Sequence, residues 1–166
     1  MATGTGLGLQ GGSMAADAAL RLARIKGRIR VSADWFFWIA GLSLLNSLIM
    51  ELGGHLHFVV GLGITELVDA IISNQVSGIH TAGWVVNIVI AGVFALFGKF
   101  GREAKKGAFI VGMILYGLDA LLMANYAIWL GVAFHAYALY RVYLVLAALN
   151  ELESAQQQAQ AAGVAV

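Results

Sequence analysis

The chain has no cysteine and no proline, and only 11% of its 166 residues are charged. The missing cysteines exclude a disulfide framework, a thiol nucleophile and a cysteine-ligated zinc site. Without proline, any break in a helix has to come from glycine, of which there are 21. The shortage of charge says most. Soluble domains are about half apolar and about a quarter charged, whereas 60% of this chain is hydrophobic. So large an apolar excess has to face lipid. A net charge of +1 also leaves little to attract a polyanion, so nucleic acid is not an expected partner.

The charge that is present is clustered. Of the ten Lys and Arg residues, five lie between positions 21 and 30, four between 99 and 106, and the last is Arg141. A hydrocarbon core of about 30 Å needs roughly 20 apolar residues per helical crossing, and four stretches meet that need. Stretch 33–50 opens on Trp35, Phe36, Phe37 and Trp38, a group typical of the membrane interface. Stretch 81–98 has no acid, stretch 107–123 carries Asp119, and stretch 126–149 carries His135 and Arg141.

A further apolar stretch, 57–73, contains Glu66 and Asp69, three apart and so on one helical face with Thr65 and Ser73 beside them. If it crossed, the two basic clusters would lie on opposite sides of the membrane. If it lies on the outer surface, or dips in and returns, all basic residues stay cytoplasmic, as the orientation bias of Lys and Arg favours. That arrangement is the expected one, although an echo between 46–50 (Asn-Ser-Leu-Ile-Met) and 119–123 (Asp-Ala-Leu-Leu-Met) speaks for five crossings. The expected fold is an all-α polytopic membrane helix bundle: four transmembrane helices plus one outer re-entrant or interfacial helical segment, both termini cytoplasmic.

The expected organisation is a flexible Gly-rich segment over 1–14, a basic amphipathic cytoplasmic helix over 15–31, a membrane domain over 32–150 and a flexible tail over 151–166. In the basic helix Leu22, Ile25 and Ile29 take one side and Arg21, Arg24 and Arg28 another, which suits a helix lying along an anionic leaflet. Gly92, Gly98, Gly112 and Gly117 are expected where helices pack closely. Gly61 and Gly63 precede Thr65 and Glu66, where a re-entrant turn needs backbone freedom.

Polar side chains at membrane depth are costly and face a bundle interior or a wet cavity. With the first span running outward, Asn46, Asn87, Asp119 and His135 all fall in the outer half, beneath the segment carrying Glu66 and Asp69. These six residues form the candidate site, read either as a polar pocket open to the outside or as separate structural contacts. In the second reading Asn46 and Asn87 bond between helices, Asp119 snorkels to the interface, and His135 meets Tyr116 or Tyr137. No catalytic pattern accompanies them. His55, His57 and His80 lack a His-Glu-x-x-His frame, and Ser77 lacks a Gly-x-Ser-x-Gly elbow. No enzyme activity, metal or cofactor is therefore expected.

Residues 60–65 (Val-Gly-Leu-Gly-Ile-Thr), 91–98 (Ala-Gly-Val-Phe-Ala-Leu-Phe-Gly), 109–122 and 134–140 (Phe-His-Ala-Tyr-Ala-Leu-Tyr) together resemble a group of small, uncharacterised bacterial inner-membrane proteins, over roughly 35–143. The resemblance implies a bacterial membrane location and brings no activity with it. Two functional expectations remain. One is a non-catalytic membrane subunit or scaffold that binds lipid, a membrane-protein partner or further copies of itself. The other is a small permease or ion-handling protein that uses the outer polar pocket.

Overall fold

The computed structural model describes residues 5–52, 62–65, 67 and 80–161, with four long helices and no strand among them. Helix α1 spans Thr5–Glu51, α2 His80–Arg102, α3 Lys106–Asn125 and α4 Trp129–Ala161. Each contains a stretch long and apolar enough to cross a membrane. Among the described residues the protein is an all-α, multi-pass membrane protein with four helices of spanning length and a short helical turn at residues 63–65.

The two short loops close in the same way. After α2, the Ala104 N–H donates to the Gly101 carbonyl at 2.9 Å and the Lys105 N–H to the Phe100 carbonyl at 3.1 Å. After α3, the Ala127 N–H donates to Ala124 and the Ile128 N–H to Met123, both at 3.0 Å. This pair of bonds is the Schellman closure, which satisfies the last carbonyls of a helix and needs a left-handed residue, most often glycine. Here alanine fills the position, with φ of 58° at Ala104 and 57° at Ala127. Reversal within three residues makes α2, α3 and α4 successive antiparallel neighbours.

The first two helices are antiparallel as well. Going up α1, Ala33 lies against Gly101 and Phe37 against Gly98, and Ser47 bonds Asn87; the numbers fall along α2 as they rise along α1. The chain therefore leaves α1 and enters α2 at the same end of the bundle. A single crossing by the intervening residues would make these helices parallel, so the five-span arrangement does not fit. Glu151 of α4 returns to α1, pairing with Arg21 at 3.2 Å and Arg28 at 3.4 Å. Arg102 meets Asp34 at 2.7 Å and Lys106 meets Asn150 at 2.8 Å. Both basic clusters thus share one end.

The core is aromatic on the basic side of the middle. Phe36 is buried, with ring centroids of Phe94, Phe97 and Phe109 at 6.4, 5.9 and 5.9 Å. It fits only because position 112 is glycine: a Cβ there would lie 2.6 Å from the Phe36 ring. Gly98 stands likewise against Phe37, whereas a Cβ at Gly92 meets nothing within 4 Å and one at Gly117 only Leu139 at 4.0 Å. The expected set of packing glycines thus reduces to two of its four. The aromatic group at 35–38 also divides, with Phe36 in the core and Trp38 exposed.

Three expected boundaries change. α1 runs unbroken from Thr5 through the basic stretch into the span, so residues 15–31 are not a separate helix lying on a leaflet. The reason is a second apolar layer: Ile25 and Ile29 are buried in one cluster with Leu149 and Leu152 of α4. α4 continues as helix to Ala161, so residues 151–161 extend the last span rather than leave it, and the Gly-rich start is helical from Thr5. At 1.5 Å per residue α3 is about 30 Å long, α4 about 50 Å and α1 about 70 Å. The longer helices rise past the α2–α3 loop as a two-helix stalk.

The polarity is inverted relative to a water-soluble bundle. Val85, Ile88, Val89, Leu96, Ile114, Leu118 and Leu121 are exposed, while Ser43, Asn46, Ser47, Asn87, Asp119 and His135 are buried. An apolar exterior of that extent is a liability in water and is the ordinary condition in lipid.

Candidate functional site

Asp119 lies six residues before the end of α3 and His135 six residues after the start of α4, about 9 Å along each axis. The tight α3–α4 turn therefore sets the two side chains at one level. His135 Nε2 is 2.9 Å from Asp119 Oδ2, and both residues are buried. The other imidazole nitrogen, Nδ1, lies 2.8 Å from the Gly131 carbonyl one turn earlier. The Tyr116 ring stacks on the imidazole at 4.0 Å with an interplanar angle of 19°.

The carboxylate also holds backbone. The Gly63 N–H donates to Asp119 Oδ2 and the Ile64 N–H to Oδ1, both at 2.8 Å. The Leu62 N–H donates to Ser43 Oγ of α1 at 2.9 Å, and that hydroxyl donates to the Ile39 carbonyl at 2.8 Å. Thr65 closes the turn, its Oγ1 donating to the Leu62 carbonyl at 2.7 Å. Three consecutive N–H groups at the start of a helical turn have no partner within the turn itself. In a bilayer no water replaces the missing carbonyls, so non-helical backbone at this depth persists only where protein satisfies it. Ser43 of α1 and Asp119 of α3 do so, and His135 of α4 in turn contacts Asp119.

The proton count of the pair follows from its bonds. A carbonyl oxygen only accepts, so His135 Nδ1 carries a proton and donates to Gly131. The Nε2 to Oδ2 contact then needs a second proton, held either as imidazolium beside carboxylate or as imidazole accepting from a carboxylic acid. In both forms the pair is neutral overall, which suits an apolar interior.

A second polar contact joins α1 and α2, where Asn87 Nδ2 donates to Ser47 Oγ at 2.9 Å, and Asn46 is buried on the same α1 segment. Of the six candidate residues the structure brings Asp119 and His135 together. It directs Asn87 to Ser47, and Glu66 and Asp69 lie outside the described residues. Asp119 does not snorkel; it is turned inward onto backbone. The cavity beside it, about 340 Å³ between α2 and α3, is walled chiefly by Leu62, Ile64, Val89, Val93 and Leu118 and is apolar. Among the described residues no three His, Asp or Glu side chains are grouped to hold a metal ion.

Ser43, Ser47, Thr65 and Tyr116 were not among the candidates. Ser43, Asn46 and Ser47 stand at i, i+3 and i+4 and so share one face of an apolar span, a polar stripe that periodicity alone can flag. Gly63 also serves a purpose other than the expected backbone freedom. A Cβ on it would lie 2.8 Å from Met123 Cγ, so it is small in order that the turn can approach α3.

No family model, no curated protein and no solved structure matches the chain.

Proposed function

We propose that the protein is a non-catalytic subunit or scaffold of a bacterial inner membrane, with its basic end and both chain ends in the cytoplasm, and that it binds lipid or neighbouring membrane proteins through its outer surface. One observation carries this reading: the deep polar groups serve the bundle itself. Asp119 accepts from two backbone N–H groups and contacts His135, and Ser43 holds Leu62. These bonds fix a re-entrant turn in place, which is an architectural task. The shared basic end supports this orientation, because Lys and Arg near span ends resist translocation.

The second reading, a proton-handling protein, draws on the shared proton of Asp119 and His135. Reconstitution separates the two. Vesicles containing the protein and a trapped pH-sensitive dye, given a pH jump, should relax no faster than empty vesicles. A faster relaxation that disappears in Asp119→Asn would replace the scaffold reading with the proton-handling one.

A further inference from the structure

A second cavity, of about 520 Å³, lies at the basic end, where the stalk rises past the α2–α3 loop. Ala23, Lys26, Gly27, Ile29 and Arg30 of α1, Leu152 and Gln156 of α4, and Arg102, Glu103 and Ala104 at the end of α2 enclose it. Its level in the membrane follows from helix length. α2 and α3 are about one hydrocarbon thickness long, so the loop joining them marks the membrane surface. A cleft bounded by that loop and the two stalk helices opens among the lipid headgroups.

The charges around it are unequally compensated. Arg102 is taken by Asp34 at 2.7 Å and Glu103 by Lys105 at 2.7 Å. Lys105 donates a hydrogen bond that holds the Glu103 carboxyl below its ordinary value, so the one acid of the cleft stays ionised and occupied. Lys26 and Arg30, one turn apart on the same face of α1, have no carboxylate partner among the described residues. Behind them the wall is apolar, formed by Ile29 and Leu152, both buried. At Gly27 an added Cβ would meet no atom within 4 Å.

Two cations with no carboxylate partner among the described residues, an apolar wall and a position at headgroup depth define a site for a phosphate that carries hydrocarbon. We propose that this cleft binds the phosphate of an anionic phospholipid from the adjoining leaflet, held by Lys26 and Arg30. Lysine meets such a phosphate as a point charge and arginine as a two-pronged donor. The proposal rests on the scaffold reading for its biological sense. Its test in micelles has no sidedness, so a reversed topology would overturn that reading and leave this result standing.

The experiment titrates the full chain in detergent micelles with phosphatidylglycerol or phosphatidylcholine and counts retained lipid by native mass spectrometry. Two basic residues worth about 1 kcal/mol each correspond to roughly a 30-fold preference for the anionic lipid. The double variant Lys26→Gln/Arg30→Gln should lose that preference. Gly27→Leu should lose it too, by filling the cleft while keeping every charge and replacing glycine with a better helix former. The control Arg24→Gln/Lys99→Gln removes two exposed cations that do not line the cleft and should keep it.

Absence of any preference in the unaltered chain overturns the proposal, as does an equal loss in the control pair, which would mean diffuse attraction. Retention of the preference by Gly27→Leu overturns the cleft as its location. If inorganic phosphate displaces phosphatidylglycerol and binds as tightly by itself, the cleft takes a soluble phosphate compound and the lipid assignment falls.

Discussion

His135 reaches Asp119 with one ring nitrogen and the carbonyl of Gly131 with the other, so the aspartate that pins residues 63 and 64 is itself pinned from α4. The two residues are not equivalent in this arrangement. Asp119 holds backbone that has no other acceptor, whereas His135 holds Asp119.

That asymmetry sets the cost of removing each. Asp119→Leu strands the Gly63 and Ile64 N–H groups, and an unsatisfied buried donor costs about 1–3 kcal/mol, so a loss of roughly 2–6 kcal/mol is expected from the same principle. His135→Leu removes one interhelical bond, worth on average about 0.6 kcal/mol in a membrane bundle. Asp119→Asn should fall between, because its amide can serve His135 and one backbone N–H but not both. Unfolding of the three variants in mixed micelles gives the order, and equal losses at 119 and 135 would contradict the division of roles.

Ser43 acts on a different amide of the same turn. Ser43→Ala should expose the Leu62 N–H to hydrogen exchange while Gly63 and Ile64 stay protected; Asp119→Leu should do the reverse. Ser43→Thr keeps the hydroxyl and should preserve protection at Leu62. Residue-resolved exchange by NMR reads all three amides, and loss of protection at all of them in both variants would mean that the turn opens as one unit.

Glycine substitutions should sort by contact. Gly112→Ala puts a methyl 2.6 Å from the Phe36 ring, an overpacking that costs about 1–3 kcal/mol. Gly92→Ala meets open space and should be neutral or slightly stabilising, since alanine is the better helix former. Thermal unfolding in detergent tests the pair, and comparable melting temperatures for the two would contradict the close packing at 112.

The two helix closures predict gains. Ala104 and Ala127 hold left-handed backbone, with φ of 58° and 57°, a conformation that costs a residue with a Cβ about 1–2 kcal/mol. Ala104→Gly and Ala127→Gly should each stabilise the protein by up to about 1 kcal/mol, glycine's own entropy offsetting the rest. Chemical denaturation of each single variant measures it, and a net loss would show that these alanines make contacts worth more than the relieved strain.

Topology can be mapped on a chain that has no cysteine of its own. Cysteines at Lys105 and Ser154 should both be shielded from an impermeant reagent in intact cells, and one at Tyr126 should be labelled. Labelling at 105 from outside would reverse the proposed orientation, and opposite results at 105 and 154 would break the four-span arrangement.

Composition and spacing determined the all-helical membrane class, the four spans and the gathering of basic residues at one end. Those features depend on what bilayers demand of any chain: about 20 apolar residues per crossing and cations kept from translocating. Asp119 and His135 were legible as candidates for the same reason, since a polar residue in an apolar run stands out. Their partnership was not. It requires the tight turn after Asn125, closed by an alanine in a conformation that usually marks glycine, to bring residues 16 apart to one level. Ser43 was legible only as one member of a polar stripe with Asn46 and Ser47; its role was hidden until the Leu62 N–H is seen to need it. The stalk was misread because Ile25 and Ile29 suit a lipid surface as well as they suit Leu149 and Leu152. An apolar face records only that it will be covered, and the cover is chosen by the tertiary structure.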